Sequence, residues 1–521
     1  MAAPFAFDHR IEFLPKNSGD LLRAIPAAPG VFSLRGETGE PYLTRTADLR
    51  RRLRRLLAPP EAVDDQGRPI LSKRLNLRER VRFIEYTRTG SDFESTLILY
   101  RASRSAFGPD EARRRLRLHP PYVLRVTMSH QHPRVYSTNR LSKKSLPESF
   151  GPFPSRAAAE RYCDAVLDLF LLRRCYEDLE PYPEHPGCVY GEMKKCMQPC
   201  KEGNPQACTP DQYANEAKRV FAFFSTRGQS LLDEVAAQRE AASEAMDFEA
   251  AAALHKQWEK VRAAALLADE LIRPIPDLRA IILQEAAPLN DAGAPEPALS
   301  LPKGLDSETW VSTESSGSHT EDAAVFLLEH GQLVGPARLS TLGVRAVREQ
   351  TAVGSSLFAQ PLMLAPVPLE PSPLNTNTDP GAPCPDSGTW ASTEAPLTPE
   401  DRARAPIESL TTRAQSPADI AELCDHLSLF RRWYYRPEKQ RTGEVFLPNP
   451  GQQWPIRRIL NGAARIVLGP PTPAPSVDRE AAKALKTKLI HAGREGVERE
   501  VPILPKRPRT RKAITPADVA E

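Results

Sequence analysis

The chain has 521 residues, enough for about three ordinary domains, so a single small module is excluded. Its 52 prolines are about double ordinary usage, while aromatics make up only 7 %, so part of the length is not packed core. The net charge of +4 hides an asymmetry: residues 1–150 carry 28 Lys and Arg against 16 Asp and Glu, an excess of +12, and the remainder carries −8. That basic N-terminal third is what a polyanionic partner selects. No apolar run reaches the roughly 18 residues of a membrane span, and the N-terminus lacks a basic segment followed by an apolar one. The chain therefore reads as cytoplasmic and without a membrane partner.

In chain order, Gly30 to Leu34 and Pro41 to Leu43 read as a β-hairpin across Gly36 to Gly39. A helix is predicted from Ala47 to Leu57. Leucines 49, 53, 56 and 57 share one of its faces, and Arg50, Arg51, Arg52, Arg54 and Arg55 fill most of the rest. A strand at Val81 to Tyr86 precedes a helix from Asp92 to Arg101, with Ser91 as N-cap. Tyr122 to Thr127 and Arg134 to Ser137 are further strands; Phe150 to Pro154 reads as a turn, and Ala157 to Leu172 as a helix. Residues 211–272, almost free of Gly and Pro, read as a helical pair in which Val235 to Val261 suits one arm.

The fold class expected is α+β and multidomain. A small α/β domain with a central antiparallel sheet spans 1–140, a cysteine-rich module 141–210 and a helical hairpin 211–272. Residues 273–415 are Pro/Ser/Thr-rich and read as linker, interrupted by a β-hairpin at Ala323 to Leu328 and Gln332 to Leu339 that pairs with Leu278 to Leu283. Ile420 to Tyr435 and Gly443 to Leu447 predict a helix and a strand in a small 416–470 segment. Residues 471–521 form a basic tail containing Lys506 to Lys512, so the C-terminal half is expected to be partly disordered. The linker also repeats itself: Asp306 to Glu314 recurs as Asp386 to Glu394. Two copies do not make a solenoid.

Five of the eight cysteines lie between Cys175 and Cys208. Cys175, Cys188, Cys196 and Cys200 are separated by 12, 7 and 3 residues, and four thiolates from one short segment can surround Zn²⁺ or an iron–sulfur cluster. Lys194, Lys195 and Lys201 would favour the thiolates, Cys208 is a spare or substitute ligand, and Cys163 packs in its helix.

LFLLRRC at 169–175 and GCVYGEMKKCMQPCKEG at 187–203 resemble the cysteine-rich segment of the UvrC family, the incision subunits of bacterial nucleotide excision repair. SFGPFPS at 149–155 and PGVFSL at 29–34 resemble the family's next motifs, the latter opening a GIY-YIG nuclease domain. Met246-Asp247-Phe248-Glu249-Ala250-Ala251-Ala252 is similar to the UVR motif that docks UvrC on UvrB. Together these cover residues 25–270. The resemblance implies an iron–sulfur cluster on the four cysteines, DNA as ligand and a UvrB-like partner held by Phe248, Glu249, Ala251 and Ala252. In the family the hairpin is followed by a ribonuclease-H-like nuclease and a helix-hairpin-helix, and neither set of signatures is found here.

The resemblance also implies a catalytic set of Tyr42, Arg45 and Arg52, with Arg50, Arg51, Arg54 and Arg55 binding DNA phosphates. That set is degenerate. Phe32 stands at the first motif's Tyr, Thr44 at the second motif's Gly, and Leu99 where the metal-binding Glu belongs. Glu94 is roughly 140° around the helix from position 99 and cannot replace it. The expected function is thus DNA binding and partner docking in excision repair with weak or lost incision. The alternatives are an active nuclease whose Mg²⁺ or Mn²⁺ ligand is Glu85, and a non-catalytic regulator competing for UvrB. Cys424-Asp425-His426 is a further cluster whose adjacent side chains should point apart.

Overall fold

A computed structural model describes residues 5–57, 59, 75–205, 207–288, 322–341, 398–414 and 419–468, together with the backbone of two strands beyond residue 470. Residues up to 469 form one compact unit.

The N-terminal lobe comprises β1 (His9–Glu12), α1 (Ser18–Ala24), β2 (Gly30–Arg35), β3 (Tyr42–Thr46), α2 (Leu49–Leu57), β4 (Phe83–Arg88), α3 (Asp92–Phe107) and α4 (Pro109–Leu116). Its antiparallel sheet has the order β1-β4-β2-β3. The predicted hairpin and helices are present. Leu49, Leu53, Leu56 and Leu57 are all buried against Phe32, Leu34 and Ile84, as the leucine stripe requires. Gly30 permits the approach of α2, because a Cβ there would lie 2.6 Å from the Thr87 carbonyl oxygen and 2.8 Å from Leu49. Ser91 caps α3, its hydroxyl accepting from the Glu94 N–H at 3.1 Å.

The middle lobe contains β5 (Tyr122–Val126), β6 (Val135–Thr138), β7 (Ser149–Phe153), α5 (Arg156–Leu167), α6 (Val189–Glu192), α7 (Pro210–Ser225), α8 (Gln229–Glu244), α9 (Phe248–Ala265) and β8 (Arg273–Pro274). Three expectations change here. Strands β5 and β6, grouped with residues 1–140 in the sequence, belong to a second sheet of order β6-β5-β7-β8. Residues 149–153 are a buried strand rather than a turn, since Phe150 and Phe153 enter the core with Tyr162, Phe223 and Phe224. The predicted pair at 211–272 is three helices, and α7 carries a reciprocal capping box between Thr209 and Gln212.

The C-terminal lobe holds β9 (Ala280–Glu285), β10 (Asp322–Glu329), β11 (Gln332–Ser340), α10 (Pro399–Arg413), α11 (Ile420–Tyr434), β12 (Glu444–Phe446) and α12 (Ile456–Leu468). All neighbours in its sheet, order β11-β10-β9-β12, are antiparallel. The expected hairpin, its pairing with β9 and the 420–447 elements are present. What the reading of 273–415 did not include is the helix α10. The apolar run of β10 serves two cores: Ala324, Phe326 and Leu328 face one with α11, while Val325 and Leu327 face another with α10 and α12. α3 inserts Phe93, Leu97 and Tyr100 into the first of these cores, joining the N-terminal lobe to this sheet.

In the second unit, β13 (Thr487–His491) pairs antiparallel with β14 (Glu498–Pro502). The duplicated Asp306 and Asp386 segments and the basic run from Lys506 lie outside the described residues. Among the described residues no helix is long and apolar enough to cross a membrane.

Candidate functional site

The nuclease-like residues divide between the two faces of the first sheet. On the α2 face, Arg52 Nη2 donates to the Tyr42 hydroxyl at 3.2 Å, and the buried Phe32 ring lies 6.2 Å from the Tyr42 ring. Arg45 is three residues from Tyr42 on an unbroken ladder and leaves the opposite face. There it pairs with Asp92 and donates to Thr96 Oγ1 at 2.8 Å. Asp92 also holds Arg436 at 2.7 Å. Leu99 lies seven residues after Asp92 and three after Thr96, so a leucine continues the α3 stripe that meets Arg45. The alternative carboxylate, Glu85, is buried opposite Ser33 on the face away from Tyr42 and bound by Arg35 at 2.8 Å and Arg10 at 3.7 Å.

The arginines of α2 are not equivalent. Arg51, Arg54 and Arg55 are exposed on its outer face. Arg50 is half-buried, and its Nε donates to the Ile25 carbonyl at 2.6 Å, fastening α2 to the end of α1. A phosphate-binding row on this helix therefore rests on three arginines rather than four.

In the cysteine module, Cys196 and Cys200 are buried, whereas Cys175 and Cys188 are half-exposed. Cys188 immediately precedes α6, and Cys200 lies in a single 3-10 turn at Pro199–Lys201. Burial pushes the Cys196 thiol up to about 12; the Gln198 N–H, 3.3 Å from its sulfur, opposes this, and Cys188, Cys175 and Cys200 add to it. Burial, with Cys188 and Cys175 adding to it and Lys201 opposing, raises Cys200. Cys196 and Cys200 thus each sense the sulfurs of Cys175 and Cys188, although among the described residues no three potential ligands stand in ready-made metal geometry. Lys195 is turned away to Asp168 at 2.9 Å, so it does not serve the thiols. Cys208 packs half-buried at the margin of the middle core, and Cys163 is buried in α5 as expected.

The helical hairpin is α8 and α9, with the break at Ala245 to Asp247, inside the stretch read from sequence as one arm. Met246 takes the left-handed conformation (φ +59°), a place where Gly or Asn would have signalled the turn. Asp247 then caps α9, accepting from the Ala250 N–H at 3.0 Å. Leu231, Val235, Val261 and Ala264 root the hairpin in the body, while Met246 and Phe248 are 77 % and 71 % exposed at its tip. Glu249 and Ala252 are exposed beside them and Ala251 is half-buried.

Residues 122–223 match the family model described as the UvrC/Cho excinuclease middle domain. Curated relatives are named UvrABC system protein C. The chain is 28 % identical to that of Idiomarina loihiensis over 247 residues, 47 % of this chain and 38 % of the relative. It is 27 % identical to that of Haemophilus ducreyi over 249 residues, 47 % and 38 % respectively. For Koribacter versatilis the identity is 29 % over 232 residues, 44 % and 36 %. The matched region thus spans well under half the length of these relatives. No solved structure matches. Residues 122–223 thus carry a UvrC-type middle domain, and over about half its length the chain is similar to proteins of the UvrC family.

Proposed function

We propose that this protein acts in nucleotide excision repair by binding DNA through α2 and docking a UvrB-like partner through the α8–α9 tip, with incision weak or lost. The observation that carries the loss of incision is the α3 stripe. GIY-YIG chemistry needs a carboxylate-held divalent metal beside the scissile phosphate, and the stripe facing Arg45 offers Leu99, while Asp92 already neutralises that arginine. Phe32 removes a hydroxyl from the other face. On a damaged duplex with Mg²⁺ or Mn²⁺, nicking should not exceed that of the Arg52→Ala variant. Metal-dependent nicking that Arg52→Ala abolishes would overturn the reading.

Exposed Arg51, Arg54 and Arg55 suit phosphate binding without base readout, and such binding weakens steeply with salt. Replacing all three by Ala should flatten the salt dependence of DNA affinity by about 0.9 in log–log slope for each phosphate that is no longer neutralised. An unchanged slope would place DNA elsewhere on the surface.

The cysteine donor set fits a thiophilic centre. Four thiolates are the donor set of a tetrahedral zinc site or a cluster, and Cys175, Cys188, Cys196 and Cys200 would hold Zn²⁺ or an iron–sulfur cluster as a structural group. Such a centre would cross-link the 175–200 loop, whose start is already fixed to α7 by the Arg173 N–H donating to the Tyr213 hydroxyl at 3.1 Å.

A further inference from the structure

A cavity of about 470 Å³ opens between the N-terminal sheet and the C-terminal one, on the α3 side of the first sheet and lined by none of Tyr42, Arg45 or Arg52. Helix α3 presents two separate polar stripes. Asp92, Thr96 and Leu99 face β3, whereas Glu94, Ile98 and Arg101 line this cavity. From other elements come Arg88 on β4, Arg338 on β11 and Arg413 in the last turn of α10, with Asp8 and His9 at the start of β1. Four guanidinium groups thus converge from four elements on a space edged by two carboxylates.

Two of the arginines are held mainly by carbonyls, which do not neutralise them. Arg101 donates to the carbonyls of Gly335 at 2.7 Å and Leu333 at 2.9 Å. Arg338 donates to that of Ala287 at 2.7 Å, with Asp322 a looser partner at 3.5 Å. Burial, with Arg413 adding to it and Glu422 opposing it, depresses Arg101 to about 10. Burial raises the Glu94 carboxyl to about 7, against the Gly90 N–H at 2.8 Å and the charge of Arg338, with Asp8 pushing the same way as burial. Near neutrality this carboxyl carries a proton much of the time, so it adds little negative charge and offers a donor. The volume falls in the range of small-molecule sites. Preorganised guanidinium forks are the side chains that best match phosphate oxygens.

We propose that this cleft binds a phosphate monoester of nucleotide size, its dianion held by Arg88, Arg101, Arg338 and Arg413. The inference is independent of incision and of partner docking. The phosphate could be that of a free nucleotide or the 5′-phosphate of a strand end, and the two share the same recognition chemistry. Ligand binding favours the protonated Glu94, so affinity falls as pH rises through about 7, in a site otherwise faced by Asp8, His9 and the four arginines.

The test is calorimetric titration of the full chain with dAMP, with deoxyadenosine as control, and with one oligonucleotide bearing either a 5′-phosphate or a 5′-hydroxyl. Arg413 is exposed, so Arg413→Glu leaves the core intact and should weaken phosphate binding at least tenfold. Glu94→Gln keeps a donor but cannot titrate; it should retain affinity at pH 7 and flatten the pH profile relative to wild type. Preference for dAMP over deoxyadenosine identifies a free nucleotide. Preference for the 5′-phosphorylated over the hydroxyl oligonucleotide identifies a strand end. No phosphate preference in either arm, or binding unaffected by Arg413→Glu, would overturn the proposal.

Discussion

Asp425→Ala should destabilise the compact unit by about 3 to 5 kcal/mol, the usual cost of removing one partner from a buried, hydrogen-bonded ion pair. Asp425 is 3 % exposed on α11. The Arg113 Nε from α4 donates to both carboxylate oxygens at 2.9 Å, and the Tyr100 hydroxyl from α3 donates at 3.0 Å. Burial raises the carboxyl, but these two donors oppose the rise. Truncation would leave the Arg113 charge half-buried without this partner and the Tyr100 hydroxyl without its acceptor, and would cut one of the polar ties between the lobes. The neighbouring pair Arg104–Glu422, at 2.6 Å, is about a third exposed on each side and contributes far less. The measurement is urea unfolding, where the midpoint should fall at unchanged slope. Tyr100→Phe should cost only about 1 kcal/mol, and a double-mutant cycle with Asp425→Ala should show coupling. A destabilisation under about 1 kcal/mol for Asp425→Ala would mean that this ion pair adds little to the joining of the lobes.

The same residue shows where sequence reasoning stops. That Asp425 and His426 point apart was legible from helical geometry. The carboxylate indeed turns to α3 and α4, while His426, pushed by burial to about 3 and hence neutral, accepts the Leu333 N–H at 3.1 Å. Their partners were not legible, because they lie about 90 to 325 residues away and no local period encodes such a pairing. The strands Gly30 to Arg35 and Asp322 to Glu329 were visible as apolar runs between turn residues. Helix α10 was hidden by proline-rich composition and by Pro406 within it. Helix α12 was hidden by Gly462, a glycine required by packing, since a Cβ there would lie 2.5 Å from the Phe446 ring. The arginines of the α2 stripe could be counted, but that Arg50 is engaged by the Ile25 carbonyl and Arg45 by Asp92 depends on where α1 and α3 come to rest. The arginine-lined cleft had no sequence signal, because each of its guanidinium groups comes from a different element.

Phe248→Ala should weaken binding of a UvrB-like partner by at least about 2 kcal/mol, roughly 30-fold, and leave the fold and DNA affinity unchanged. The asymmetry follows from position. Phe248 opens α9 with 71 % of its surface exposed, so its truncation creates no cavity, and surface substitutions of this kind stay within about 0.5 kcal/mol of wild-type stability. Its value lies in burial against a partner, where an aromatic ring of this size supplies much of an interface's energy. Met246 beside it adds a flexible apolar surface, and exposed Ala252 lets a partner helix come close. Asp247→Ala separates the two roles, since it removes the cap of α9 at a cost of about 1 kcal/mol and loosens the tip without deleting the ring. Its effect on binding should therefore be smaller than that of Phe248→Ala and should come with a lower melting temperature. Surface plasmon resonance against the partner, paired with thermal unfolding of each variant, reads both. Partner affinity within about threefold of wild type for Phe248→Ala would remove the hairpin tip as the docking site.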